Sequence, residues 1–141
     1  MSKAHLASAV VFLCVSIVLA ACGGSSYTTS GSSSSSRAHF NGAAVTYQLA
    51  RANGRATQSL EVKSESDHQL KVDVTLAVGK GSYKIELLDK DGQVTLALEA
   101  ADGQTVQGQG YMALDTFGEA SYRVTAVNAE KVSYVLDYVV Q

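Results

Sequence analysis

Three observations predict an all-β, antiparallel fold. From residue 43 onward apolar and polar residues alternate with a period of two; Gly, Asn-Gly and Asp-Gly turns separate the alternating runs; and no helical apolar pattern persists for ten residues. Eight short strands joined in this way read as a jelly-roll-like β-sandwich, with a closed β-barrel as the alternative. The composition agrees: 46% of the 141 residues are hydrophobic, with no Trp, no Pro, three Phe and seven Tyr. The core is therefore expected to be aliphatic with Tyr at its margins, residues that suit a pleated, half-buried surface.

The chain falls into three parts. Residues 1–21 have the form of a secretory signal: Lys3 near the start, an apolar stretch from Ala9 to Leu19, and small residues before a cleavage point between Ala21 and Cys22. That stretch is far short of the roughly 20 residues that span a bilayer. Leu19-Ala20-Ala21-Cys22 then resembles the lipobox of bacterial lipoproteins. The resemblance implies that the Cys22 thiol receives a diacylglyceryl group and that the leader is cut before it. Each buried CH₂ contributes roughly 0.8 kcal/mol, and two or more acyl chains hold a protein stably at a membrane. Cys22 is thus expected to be a lipidation site, the covalent lipid taking the place of any cofactor, and the membrane is the first expected partner. Gly23 follows it, not the Asp that retains many lipoproteins at the inner membrane of diderm bacteria. The resemblance therefore implies the outer membrane in a diderm and the outer face of the cell membrane in a monoderm.

The second part, residues 22–38, is dominated by Gly23-Gly24 and the serines up to Ser36. It is too poor in apolar groups to offset ordering entropy, and so predicts a flexible tether with a reach of roughly 20 Å. The third part, residues 39–141, is the predicted domain. Its first strand alternates Ala43, Val45, Tyr47 and Leu49; Asn53-Gly54 predicts a hairpin, and a second strand covers Thr57 to Lys63. After a polar loop from Ser64 to Gln69 comes the clearest strand, Leu70 to Val78. Gly79-Lys80-Gly81 predicts a turn into Tyr83, Ile85 and Leu87, and Asp89-Lys90-Asp91-Gly92 another into Val94, Leu96 and Leu98. Asp102-Gly103 predicts a third turn. Gln104 to Leu114 follows, where Gly108 and Gly110 indicate a bulge or a close backbone approach. Ala120 to Ala126 and Val132 to Val140 complete the eight, separated by Asn128-Ala129. Val135 and Val139 make the last strand apolar on both sides, which places it centrally or beneath a covering loop.

The runs Leu70 to Val74, Tyr83 to Leu87 with Asp89 to Gly92, Gly118 to Val124, and Tyr134 to Leu136 together resemble the pre-peptidase C-terminal domains of secreted bacterial peptidases. That resemblance implies a sandwich fold in a non-catalytic module.

Charge and motif content narrow the function. Formal net charge is -2 with no clustered basic face, so a nucleic-acid partner is not expected. His39 and His68 sit in polar surroundings without a zinc-like Cys/His pattern, and no nucleophile elbow or phosphate loop is present. The Asp89 to Gly92 turn fails as an EF-hand, because Leu87 and Leu98 fall where oxygen ligands are required. No metal site and no catalytic set is expected. Asp73, Glu86, Glu99 and Asp137 lie on outward strand faces, where two of them become neighbours only if the fold pairs them; this is the basis of an alternative reading as a small envelope hydrolase. Tyr111, with Gln109 and Met112 in the Gly-rich strand, is the candidate ligand contact for sugars or peptides. The sequence is best read as a non-enzymatic binding or structural module anchored in the cell envelope, with a glycan or an envelope protein as partner. An inhibitor or accessory subunit acting through the Ser64 to Gln69 loop is the other alternative.

Overall fold

Alternation over twenty residues at a time builds strands longer than the predicted ones, and the fold follows from where those strands bend. The computed structural model describes residues 26–62 and 68–141. Among the described residues the strands are β1 (Thr28–Ser30), β2 (Ser33–His39), β3 (Gly42–Glu61), β4 (Gln69–Leu88), β5 (Val94–Ala101), β6 (Thr105–Ala113) and β7 (Glu119–Val140). All pairings are antiparallel. β7 lies centrally between β3 and β4; β1 and β2 flank β3, and β5 and β6 flank β4.

The sheet is folded across its middle. Registers shift between Ala52 and Gly54 in β3 and between Lys80 and Ser82 in β4. Positive φ angles occur on the same line, at Gly54, Gly81, Asn128 and Lys131. Bulges of this kind bend a strand without ending it. The first halves of β3 and β4 and the second half of β7 thus form one layer with β2 and β6; the remaining halves form a second layer with β5. Tyr122 and Tyr134, on opposite sides of the bend in β7, face each other with their hydroxyls 3.1 Å apart.

The layers enclose an aliphatic core of Leu70, Val72, Val74, Leu76, Ile85, Leu87, Val124 and Leu136. Tyrosines fill the end nearest the bend, where Tyr134 stacks on Tyr47 and Tyr83 with centroids 4.8 and 5.7 Å apart. Burial pushes the phenols of Tyr83, Tyr122 and Tyr134 far above their ordinary range. On one side the sandwich is sealed. β6 lies so close to β5 that a Cβ on Gly110 would meet Leu96 Cβ at 2.6 Å, and one on Gly108 would meet Leu98 Cδ2 at 3.0 Å. The Thr95 hydroxyl donates to the Tyr111 carbonyl across the same seam.

The predicted fold class is the observed one: an antiparallel β-sandwich, not a closed barrel. Several local expectations are corrected. Asn53-Gly54, Gly79-Lys80-Gly81 and Asn128-Ala129 do not reverse the chain but bend β3, β4 and β7, so six predicted strands fuse into three. The residues that permit a tight turn also permit a bulge, and only the partner strands decide between them. The Ser-rich run is not a free tether from Thr28 onward: Ser33 to His39 pair residue by residue with Gln48 to Gly42, and Thr28 to Ser30 with Asn53 to Arg51. Backbone hydrogen bonds supply what its side chains do not. The ordered domain accordingly begins before residue 39. The close approach expected at Gly108 and Gly110, the central position of the last strand and the turns at Asp89 to Gly92 and Asp102-Gly103 are as predicted.

Candidate functional site on the outer face of the first layer

Because side chains alternate, each strand of the first layer sends every second residue outward, and the registers align these into rows. One row runs Gln109, Asp73, Asp137, Ala44, Arg37 across β6, β4, β7, β3 and β2. The next runs Tyr111, Lys71, Val139, Gly42, His39. Asp73 and Asp137 therefore stand directly opposite each other, about 4.5–5.5 Å apart at Cβ, an arrangement unfavourable for two like charges. Each carboxylate has its own partner. Gln109 Nε2 donates to Asp73 Oδ1 at 2.8 Å, and His39 Nε2 meets Asp137 Oδ1 at 2.8 Å.

His39 reaches Asp137 by lying over β3, where Gly42 and Ala44 leave room; a Cβ on Gly42 would come within 2.9 Å of His39 Cε1. Hydrogen bonding to Asp137, and then to the Phe40 carbonyl, raises the His39 pKa above its ordinary value. The result is a polar line, Gln109–Asp73 beside Asp137–His39, on an open face. At its β6 edge Tyr111 is 41% exposed. This face carries amide, carboxylate, imidazole and aromatic groups side by side.

No protein-family model matches the chain, and no curated protein matches it significantly. Solved structures do. The chain is similar to the xylan-binding CBM22-1 domain of Paenibacillus barcinonensis Xyn10C at 16% identity and a TM-score of 0.39, over 82% of this chain and 84% of that one. It is similar to TmCBM61, solved with β-1,4-galactotriose, at 12% identity and a TM-score of 0.41, over 84% and 88%. It is also similar to the CBM6cm-2 carbohydrate-binding module of Cellvibrio mixtus lichenase 5A, solved with cellotriose, at 11% identity and a TM-score of 0.36, over 79% and 88%. Likenesses this distant carry no ligand to this chain.

The predicted site residues separate. Tyr111 and Gln109 share the outer face, whereas Met112 points the other way and is fully buried at 0% exposure, so it is no ligand contact. Adjacent residues of a strand face opposite sides. Among the outward carboxylates, Asp73 and Asp137 come together, but Glu86 lies on the second layer, 3.2 Å from Arg123 Nε, and Glu99 lies opposite Lys84 on that layer. The four do not converge. Asp89 Oδ1 accepts the amides of Asp91 and Gln93, which makes that loop a self-satisfied turn. Among the described residues no group of three or more His, Cys, Asp or Glu is placed to hold a metal ion. Ala21, Cys22 and Gly23, and most of the Ser64 to Gln69 loop, lie outside the described residues.

Sequence reasoning did not find the partnership of His39 with Asp137 or the role of Tyr27. The Tyr27 hydroxyl sits 2.8 Å from that of Tyr83, so the ring at the head of the Ser-rich run closes the tyrosine end of the core. An aromatic in an otherwise polar tract was the available signal.

Proposed function

We propose that this chain is a lipoprotein held at a bacterial membrane through Cys22, whose β-sandwich is a non-enzymatic module that binds an extended glycan of the cell envelope on the outer face of the first layer. The observation that carries the binding assignment is the pairing of exposed Tyr111 with the Gln109–Asp73 hydrogen bond on one flat face. An aromatic ring covers the apolar face of a sugar, while a fixed amide and carboxylate meet its hydroxyls. A flat face suits a long polymer more than a small enclosed molecule. The lipobox supports the anchor.

Two measurements test this reading. Membrane-bound protein is expected to resist salt washing and to be released by detergent, with Cys22→Ala appearing in the soluble fraction; soluble, unlipidated native protein would defeat the anchor. For the module, co-sedimentation with purified cell-wall glycan is expected to weaken at least tenfold in Tyr111→Ala and Gln109→Ala, at unchanged thermal stability. Equal retention of both variants would remove the face from consideration.

A further inference from the structure

The chain enters the sandwich at the bend. Thr28 to Ser30 pair with Asn53 to Arg51, and the Ser26 carbonyl lies where a Cβ on Gly54 would stand. Cys22 is four residues before Ser26, and four residues reach at most about 14 Å in any arrangement. The opposite end of the sandwich, which β4 reaches from Val78 back to Gln69, is about 30 Å away. Cys22 is therefore confined to the neighbourhood of the bend. The two ends also differ in charge. Arg51, Arg55, Lys80 and Lys131 stand exposed at the bend, against the carboxylates of Glu130 and Asp102. Glu130 lies across the ladder from both Arg51 and Lys80, 3.6 Å from Arg51 Nε, while Asp102 accepts the Gly81 amide. An open ion pair of this kind holds Arg51 only weakly, its side chain being 76% exposed. At the opposite end the described turns and strand ends carry Glu61, Asp89, Asp91, Asp115 and Glu119, with Lys71 and Lys90 as their cations.

We propose that the bend end is seated on the anionic phospholipid headgroups of the membrane that holds Cys22, so that the sandwich stands upright on the bilayer; this rests on the lipoprotein reading of Cys22. Acyl chains on Cys22 bring the bend within about 14 Å of the headgroups, less than two screening lengths of about 8 Å at physiological salt. At that range anionic lipid draws basic side chains toward it and repels carboxylates. The tether supplies the proximity and the charges supply the orientation, with Arg51, Lys80 and Lys131 toward the lipid and Glu61, Asp115 and Glu119 away from it. Upright seating lifts the row that holds Tyr111 and Lys71 about 30 Å above the headgroups, since nine residues of β4 separate Lys71 from Lys80. The outer face of the first layer then runs along the membrane normal.

The test uses the mature lipidated protein reconstituted into phosphatidylethanolamine vesicles, with or without phosphatidylglycerol, that contain a lipid bearing a nitroxide on its headgroup. A fluorophore is placed at the bend through Val127→Cys or at the opposite end through Phe117→Cys, both exposed positions. Quenching is expected to be strong at residue 127 and weak at residue 117 in vesicles with phosphatidylglycerol, and the difference is expected to shrink in high salt or without that lipid. Arg51→Gln and Lys131→Gln are each expected to reduce the ratio of seated to unseated domain about fivefold, whereas Lys90→Gln at the opposite end leaves it unchanged. The proposal is overturned by equal quenching at the two positions, by quenching at residue 127 that ignores both phosphatidylglycerol and salt, or by an effect of Lys90→Gln as large as that of Arg51→Gln. Flotation of the vesicles separates this reading from the anchor: protein that floats with equal quenching defeats the seating alone, while protein that does not float defeats the anchor and the seating together.

Discussion

Asp137 is the residue whose surroundings were least visible in the chain, because its two companions come from positions far away in sequence. Asp73 is a like charge directly across the ladder, and His39 spans β3 to meet it. The folded-state pKa of His39 is raised above 6.5. Such a shift stabilises the folded state below the unfolded pKa, and the contribution is lost as pH rises through the folded value. NMR titration is expected to show the His39 midpoint above its ordinary position in the native protein and lowered toward it in Asp137→Asn; an unmoved midpoint would show that the pair does not form in solution.

At the scale of elements, glycine placement decides how the strands meet. Gly110 and Gly108 both face β5, but with different neighbours. The first would bring its Cβ to 2.6 Å from Leu96 Cβ, an atom fixed to the backbone; the second would meet Leu98 Cδ2 at 3.0 Å, the end of a side chain that can rotate. Gly110→Ala is accordingly expected to lower stability by about 1–3 kcal/mol, the usual result of overpacking, and Gly108→Ala by less. Denaturant unfolding of the two variants checks the order, and a larger loss for Gly108→Ala would mean that β5 and β6 are not closed on each other as described. The glycines and asparagines at the bend act differently. Gly54 has a φ of +102°, and a Cβ there would meet Ser26 O at 1.9 Å, so it both bends β3 and admits the incoming chain.

For the whole molecule, the tyrosine end of the core ties the two layers and the β1 edge into one unit. Tyr27, Tyr83, Tyr122 and Tyr134 come from the residue just before β1, from β4 and from both halves of β7, and their hydroxyls pair as Tyr27 with Tyr83 and Tyr122 with Tyr134. Their phenols are held neutral by burial, with folded pKa values above the ordinary value of 10. Stability from this source is complete below pH 10 and is lost as pH rises beyond it, because only the unfolded chain ionises there. Alkaline titration is expected to show these phenols ionising together with loss of near-ultraviolet circular dichroism; phenolate formation with the native signal intact would show that the cluster is open to water.

The sequence by itself determined the fold class, the aliphatic inward rows and the leader-like start, since period-two alternation and the spacing of turn residues act locally and leave a local trace. Leu70 to Val78 and the close approach at Gly108 and Gly110 were legible for that reason. Tyr111 and Gln109 were legible as one face, because alternation alone puts them together. Only the tertiary structure decided which glycine and asparagine sites reverse the chain and which merely bend it, since the same positive φ serves both and the difference lies in the neighbouring strands. It also decided that a serine run would pair as an edge, that Met112 would turn inward, and that His39, Asp137, Asp73 and Gln109 would form one line. Register between strands distant in sequence sets those contacts, and no single stretch of the chain contains it.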